Sequence, residues 1–374
     1  MIVFFAFFDT HAQMPILAPY AISLGATPFT LGLVVGFYSL FNIVGNFTGG
    51  LIIDTKSWKH PLILGLAGVS VMLLLYTCAG NAYHLVAIRA GHGLAGGLMI
   101  PATLACLTVK EKAGFTGDIR LAIFGATIGL ASVTGPPAAG IIANLHGFHT
   151  VYYMLAILML ASAGLAFWLF KINPENRPCN DIPHFSLGQI MAIPAIKATF
   201  IFALGTTGST GTLASFLPGH AEAAGLDHTQ TGMLFASFAL AAIIIQASWP
   251  GIIKPRVNGN IFGCTNGLLF ICLALILAAI ATRPPGLFIA LIIYGCGFGL
   301  SFQGMLGMIL EHSDPKWQGR AIGLFFAAYS VGIALLPPLS GLIWQHTFLF
   351  PFYTAAVIAL LSMLSGNKTY RKIS

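Results

Sequence analysis

Arg89-Ala90-Gly91-His92-Gly93-Leu94-Ala95-Gly96-Gly97 lies in the middle of an apolar run covering residues 83–107. A run of that length is what an α-helix needs to cross the hydrocarbon of a bilayer, about 20 residues at ~1.5 Å each. A guanidinium at that depth costs several kcal/mol unless it is paired or hydrated, so Arg89 is a functional candidate by position alone. Gly93, Gly96 and Gly97 leave room for a neighbouring helix to approach closely.

Cutting the rest of the chain at Gly, Pro, Asn and charge clusters yields further runs of the same kind. With 83–107 they lie near residues 1–23, 29–53, 61–79, 119–144, 150–170, 195–218, 230–253, 259–281, 286–310, 320–344 and 348–366. The expected architecture is therefore an all-α membrane protein of twelve transmembrane helices. Composition agrees: 57% of the 374 residues are hydrophobic and 7% charged, against roughly a quarter charged in a soluble domain. The net charge of +7 is spread thinly between the apolar runs and forms no patch for nucleic acid. It reads as topology, because cytoplasmic loops retain Lys and Arg. Apart from Arg89 and Arg283, every Lys and Arg falls on one side of the predicted arrangement, so both termini are expected in the cytoplasm. No basic stretch precedes the first run and no cleavable signal is expected. The six cysteines show no CxxC spacing and read as small apolar packers.

The longest polar stretch, Asn173 to Asp181, divides the chain. It places a six-helix bundle at 1–171, a cytoplasmic linker at 172–193 and a second bundle with a short tail at 194–374. The halves echo each other at an offset near 200 residues: Asn46, Gly50 and Asp54 match Gln246, Pro250 and Lys254, while Arg120 with Gly135-Pro136-Pro137 matches Arg320 with Pro337-Pro338. Such a repeat implies two pseudo-symmetric bundles.

Three motifs carry a resemblance. Gly50-Leu51-Ile52-Ile53-Asp54-Thr55-Lys56-Ser57-Trp58-Lys59-His60 is similar to G-x-x-x-D-R-x-G-R-[RK], with Thr55, Ser57 and Trp58 replacing Arg, Gly and Arg. The Arg89 stretch is similar to R-x-x-Q-G-x-G-[AG]-[AG], with His92 for Gln and Ala95 for Gly. Gly135-Pro136-Pro137-Ala138-Ala139-Gly140 is similar to G-P-x-x-G-G, with Ala139 for one glycine. Together they resemble the major facilitator superfamily, in particular its bacterial drug:proton antiporter branch, over the whole chain. The resemblance implies a transporter of the bacterial inner membrane working by alternating access. It further implies an inner gate in which Gly50, Asp54, Lys56 and Lys59 meet the start of the eleventh helix near Arg320, and tight helix packing at Gly135, Pro136 and Gly140.

Asp9 is the one carboxylate deep in any predicted span. Helical spacing aligns it with Gln13 and Tyr20, beside His11, and puts Tyr38, Asn42 and Asn46 on a second polar stripe. Thr206, Thr210, Gln246, Gln303 and Tyr329 supply a weakly polar face in the second half. These residues are expected to line a substrate cavity, with Asp9 carrying a proton and Arg89, assisted by His92, tuning it. Burial favours the neutral acid and a nearby guanidinium the ionised one. Counting residues along each helix puts the Asp9 and Arg89 backbones roughly 9 Å apart in depth, a gap for a long side chain and one water. The expected partners are a small amphipathic substrate and membrane lipid. The energy source is a proton gradient with no cofactor, and the expected state is a monomer. His146 and His149 form an H-x-x-H pair, but no Cys or carboxylate stands at ligand spacing and no metal is expected. Import of a metabolite or chelate by the same fold is the alternative. A membrane enzyme or receptor on this scaffold is a third reading, opposed by the lack of H-E-x-x-H, G-x-S-x-G or phosphate-loop motifs.

Overall fold

Apolar side chains on all faces, with backbone groups that find no water in a bilayer, leave the helix as the economical conformation for each run. The computed structural model describes residues 1–55, 57–109, 117–169, 187–253, 258–314, 318–343 and 350–371, though not the side chains of 54–55, 104–109, 117–122, 187, 252–253 and 318–320. Among the described residues the regular elements are all α-helices. They are α1 (Ile2–Ala12), α2 (Leu17–Ser23), α3 (Pro28–Thr55), α4 (Lys59–Tyr76), α5 (Ala82–Val109), α6 (Gly117–His146), α7 (Phe148–Leu169), α8 (Leu187–Ala192), α9 (Pro194–Ala223), α10 (His228–Ile253), α11 (Gly259–Ile280), α12 (Pro284–His312), α13 (Gln318–Ile343) and α14 (Phe350–Tyr370). Eleven of these are long and apolar enough to cross a membrane. Side chains such as Phe47, Ile157 and Trp168 are exposed on them, as lipid-facing positions require.

The first expected span departs from the single helix read from the sequence, because it breaks into α1 and α2 at Gln13–Ile16. Pro15 has no N–H to give to the His11 carbonyl, and its ring crowds that oxygen. The Met14 N–H takes the His11 carbonyl instead at 3.1 Å, and helical bonding resumes from Leu17 N–H to Gln13 O at 2.9 Å.

Contacts divide the chain into two compact units, Met1–Cys179 with Asp227–Ala236, and Asn180–Leu226 with Ser237–Ser374. Within the first, α4 packs on α5 and α7, and α1 on α6 and α7; within the second, α11 packs on α12 and α14, and α9 on α13 and α14. The same joints recur in each. Tyr20 OH donates to the Tyr76 carbonyl at 2.6 Å, and His220 Nε2 to the Ala278 carbonyl at 2.9 Å. Ser70 Oγ donates to Ala156 O at 2.8 Å, and Cys272 Sγ to Ala356 O at 3.3 Å. Gly25 and Gly225 close α2 and α9 at φ +82° and +84°. Left-handed backbone there lets the N–H groups of Ala26 and Leu226 reach back to the carbonyls of Ala21 and Ala221, a closure that glycine permits without strain.

Candidate functional site

A buried polar cluster in the first unit draws on α1, α3, α4 and α5. Helical spacing sets Asp9 and Gln13 on one face at the end of α1, and Gln13 Nε2 donates to Asp9 Oδ1 at 2.8 Å. On α5, Arg89 and His92 share a face one turn apart. His92 Nε2 lies 3.0 Å from Asp9 Oδ2, and both side chains are 1% exposed. Arg89 Nε donates to the Val34 carbonyl of α3 at 3.0 Å, while Nη1 reaches Gln13 Oε1 at 3.3 Å and Tyr76 OH at 3.4 Å. Tyr76 OH stands 3.3 Å from His92 Nδ1. The Tyr38 ring lies 4.2 Å from the Arg89 guanidinium carbon and meets the His92 ring edge-on at 5.2 Å.

One arrangement satisfies these partners: the Tyr76 oxygen accepts from Arg89, its O–H donates to His92 Nδ1, and the His92 Nε2–H points at Asp9 Oδ2. One carboxylate and one guanidinium balance inside the cluster, as burial demands.

Among the described residues Asp9 is met by Gln13 and His92, and Arg89 connects to it through Gln13 rather than by a direct bond. Depth counted along straight helices overlooked Gln13 and Tyr76, which stand between, and His92 takes the direct contact. Tyr76 and Tyr152 were not singled out from the sequence. Tyr76 joins the cluster and stacks on Tyr152 with ring centroids 4.6 Å apart and planes 3° from parallel; a phenol inside a lipid-spanning run was the available signal.

The Major Facilitator Superfamily profile matches residues 1–335. The chain belongs to the Major Facilitator Superfamily. It is thus a multi-pass membrane transporter and not an enzyme. Its relatives include the multidrug resistance protein MdtG of Klebsiella pneumoniae, 26% identical over 96% of this chain and 89% of that protein. An uncharacterized MFS-type transporter of Methanocaldococcus jannaschii is 22% identical over 85% of this chain and 83% of that protein. A crystal structure of a mutant form of the nucleoside transporter NupG superposes with TM-score 0.84 at 14% identity, covering 99% of this chain and 98% of that one. That last likeness is one of fold.

Other predicted residues of this transporter fall outside the cluster. Tyr20 lies beyond the break at Gln13–Ile16, in the middle of α2, with its hydroxyl on the Tyr76 carbonyl. His11 turns to the Phe7 carbonyl, 2.8 Å from Nδ1. Asn42 Nδ2 donates to Gly93 O at 3.3 Å and so fastens α3 to α5, while Asn46 Nδ2 donates to Asn42 Oδ1 at 2.8 Å along α3. Gly93 and Gly97 sit where a Cβ would strike the Tyr38 and Asn42 carbonyls, Gly96 faces Tyr38 OH and Gly135 faces the α1 backbone. Pro136 and Gly140 face Gly232 and the His228 carbonyl respectively, in the first turns of α10. A cavity of about 30 Å³ beside Phe7, Thr10, Tyr38 and Met99 has room for a water or two.

In the second unit Thr206 Oγ1 meets Ser301 Oγ at 2.7 Å, and Thr210 Oγ1 bonds Thr206 O at 2.9 Å and Tyr294 OH at 3.0 Å. Tyr329 packs among Phe302, Phe325 and Phe326, and Gln246 and Gln303 are half-buried. Of the predicted gate, Gly50 is half-buried and Lys59 Nζ donates to Phe167 O at 2.9 Å, 5.0 Å from that residue's ring centroid. Lys56 and the side chains of Asp54 and Arg320 lie outside the described residues. Among the described residues no three His, Cys, Asp or Glu come together as metal ligands.

Proposed function

We propose that this transporter exports a small amphipathic molecule across the bacterial inner membrane in exchange for protons, by alternating access, with the Asp9–His92 pair as the proton acceptor. The observation that carries the reading is that pair: an acid and an imidazole 3.0 Å apart, both 1% exposed, with His92 inside a helix long and apolar enough to cross a membrane. An intramembrane acid held this way is costly unless it is used, and proton relays are a common use. The relatives named as multidrug resistance proteins favour export of amphipathic compounds. The one-sided distribution of Lys and Arg supports cytoplasmic termini and puts the His149 end of the first unit outside.

In this reading a proton taken up from outside neutralises Asp9 and releases whatever cationic or hydrogen-bonding group of the substrate it held. Loss of that proton inside restores the carboxylate and recruits the next molecule, so the two flows compete for one site. A thermal-shift screen of drugs and metabolites on the purified protein selects a test compound. That compound is then followed into inverted vesicles under an imposed pH gradient. Asp9→Asn is expected to abolish uphill accumulation while retaining binding and passive exchange; undiminished uphill accumulation by the variant would refute the assignment. The direction of flux relative to the gradient separates export from import.

A further inference from the structure

The buried pair has a neighbour the exchange cycle above does not use. Tyr152, on α7, is fully buried, and its hydroxyl has no hydrogen-bond partner. Buried hydroxyls are nearly always satisfied, and one that is not calls for an explanation. Packing gains nothing from this oxygen that a phenylalanine would lack. What it has is position: its ring stacks on Tyr76 at 4.6 Å and touches Tyr20 at 5.4 Å. Tyr76 OH is already bonded to His92. On the other side Tyr20 OH lies 3.4 Å from Nε2 of His149, an exposed imidazole. That imidazole, with Tyr20, Ser23, His146 and Phe148, lines a cavity of about 350 Å³ at the end of the unit.

Resting on the proposed role of Asp9, we infer that protons reach the pair through the interior of the first unit, by the relay His149, Tyr20, Tyr152, Tyr76 and His92. His149 picks up a proton in the open cavity and passes it from Nε2 to the Tyr20 oxygen. The Tyr20 hydroxyl, which points at the Tyr76 carbonyl at 2.6 Å, turns and gives its own proton to Tyr152. Tyr152, whose hydroxyl is beyond hydrogen-bond reach of both neighbours at rest, receives that proton and gives its own to the Tyr76 oxygen across a bridging water on each side, and the Tyr76 hydrogen moves to His92 Nδ1. His92 releases its Nε2 proton to Asp9 Oδ2. Each oxygen gains one proton and loses one, His92 ends with its proton on Nδ1, and Asp9 ends as the neutral acid. The Arg89 N–H on the Tyr76 oxygen stabilises negative charge that develops there during the transfer. Among the described residues the other titratable groups facing the route are His11 from α1, Tyr38 from α3, Cys78 after α4, Arg89 from α5 and His146 before α7.

The test uses the full chain in detergent and needs no transported compound. Protons released by a light flash are followed by time-resolved infrared absorption of the Asp9 carboxyl, identified as the band missing from Asp9→Asn. Tyr152→Phe is expected to slow its appearance on the order of a hundredfold, the scale of a removed proton-transfer group, with the final amplitude unchanged. Tyr153→Phe, an exposed neighbour, is expected to leave the rate alone. His149→Gln is expected to slow it as well, with recovery on adding imidazole, which the cavity has room to hold. Wild-type rates in Tyr152→Phe and Tyr20→Phe would overturn the route and leave Asp9 as the acceptor. Absence of any pH-dependent Asp9 band in the wild type would overturn both.

Discussion

Gly97→Ala probes how closely the site depends on the α3–α5 seam. A Cβ on Gly97 would collide with the Asn42 carbonyl oxygen and lie 2.7 Å from Asn46 N and 2.8 Å from Gly45 C. All three are backbone atoms, so no side chain can rotate out of the way. Restoring ordinary carbon contacts requires the two helices to part by about 1 Å. Overpacking of that kind costs about 1–3 kcal/mol. The Asn42–Gly93 bond, at 3.3 Å, is lost for about 1 kcal/mol more, and the better helix propensity of alanine returns about 1 kcal/mol. The net expectation is about 2 kcal/mol of destabilisation. The same movement withdraws the Val34 carbonyl and the Tyr38 ring from Arg89, so uphill transport should fall further than the amount of folded protein does. Thermal unfolding of the purified variant, followed by tryptophan fluorescence, measures the first effect, and vesicle transport the second. Gly164→Ala, where a Cβ meets nothing within 4 Å, is the control and should be neutral or slightly stabilising. Wild-type stability and transport in Gly97→Ala would refute the reasoning.

Lys59→Met keeps the aliphatic stem but removes the ammonium from the last turn of α7, and should cost about 2 kcal/mol by the same unfolding assay; an unchanged melting curve would mean the contact contributes nothing. Tyr152→Phe should be neutral or stabilising by about 1 kcal/mol, because it deletes a buried hydroxyl without a partner; marked destabilisation would point to a structural bond. Arg89→Lys retains charge but lacks the planar fork that reaches Val34 O, Gln13 and Tyr76 at once. Its uphill transport should therefore resemble that of Arg89→Ala, and near-wild-type activity would show that charge alone suffices.

Span length was legible in the sequence because it follows from solvation by lipid, which acts residue by residue. The break in the first span was not, although Pro15 signalled it: an apolar run of sufficient length looks continuous whether or not one amide lacks its hydrogen. The burial of Asp9 and Arg89 was legible for the same reason as the spans. Their partners were not, because an arginine side chain can reach several neighbours and the choice depends on which helices touch. Burial on α3 and α4 decided for Val34 O and Tyr76. Asn42 shows the same limit, since an amide on a helical stripe does not reveal that the glycine opposite brings a backbone carbonyl within its reach.

The paired joints carry a consequence for how such a chain changes over generations. Tyr20 and His220 secure the same joint with a phenol and an imidazole, and Ser70 and Cys272 secure another with an oxygen and a sulfur. What the two copies have in common is the place where a donor meets a carbonyl, while the donor itself has drifted. A duplicated scaffold of this kind tolerates exchange of any donor of suitable reach at these joints. One copy is thereby free to turn its phenol toward other chemistry while its twin, with an imidazole in that place, remains a fastening.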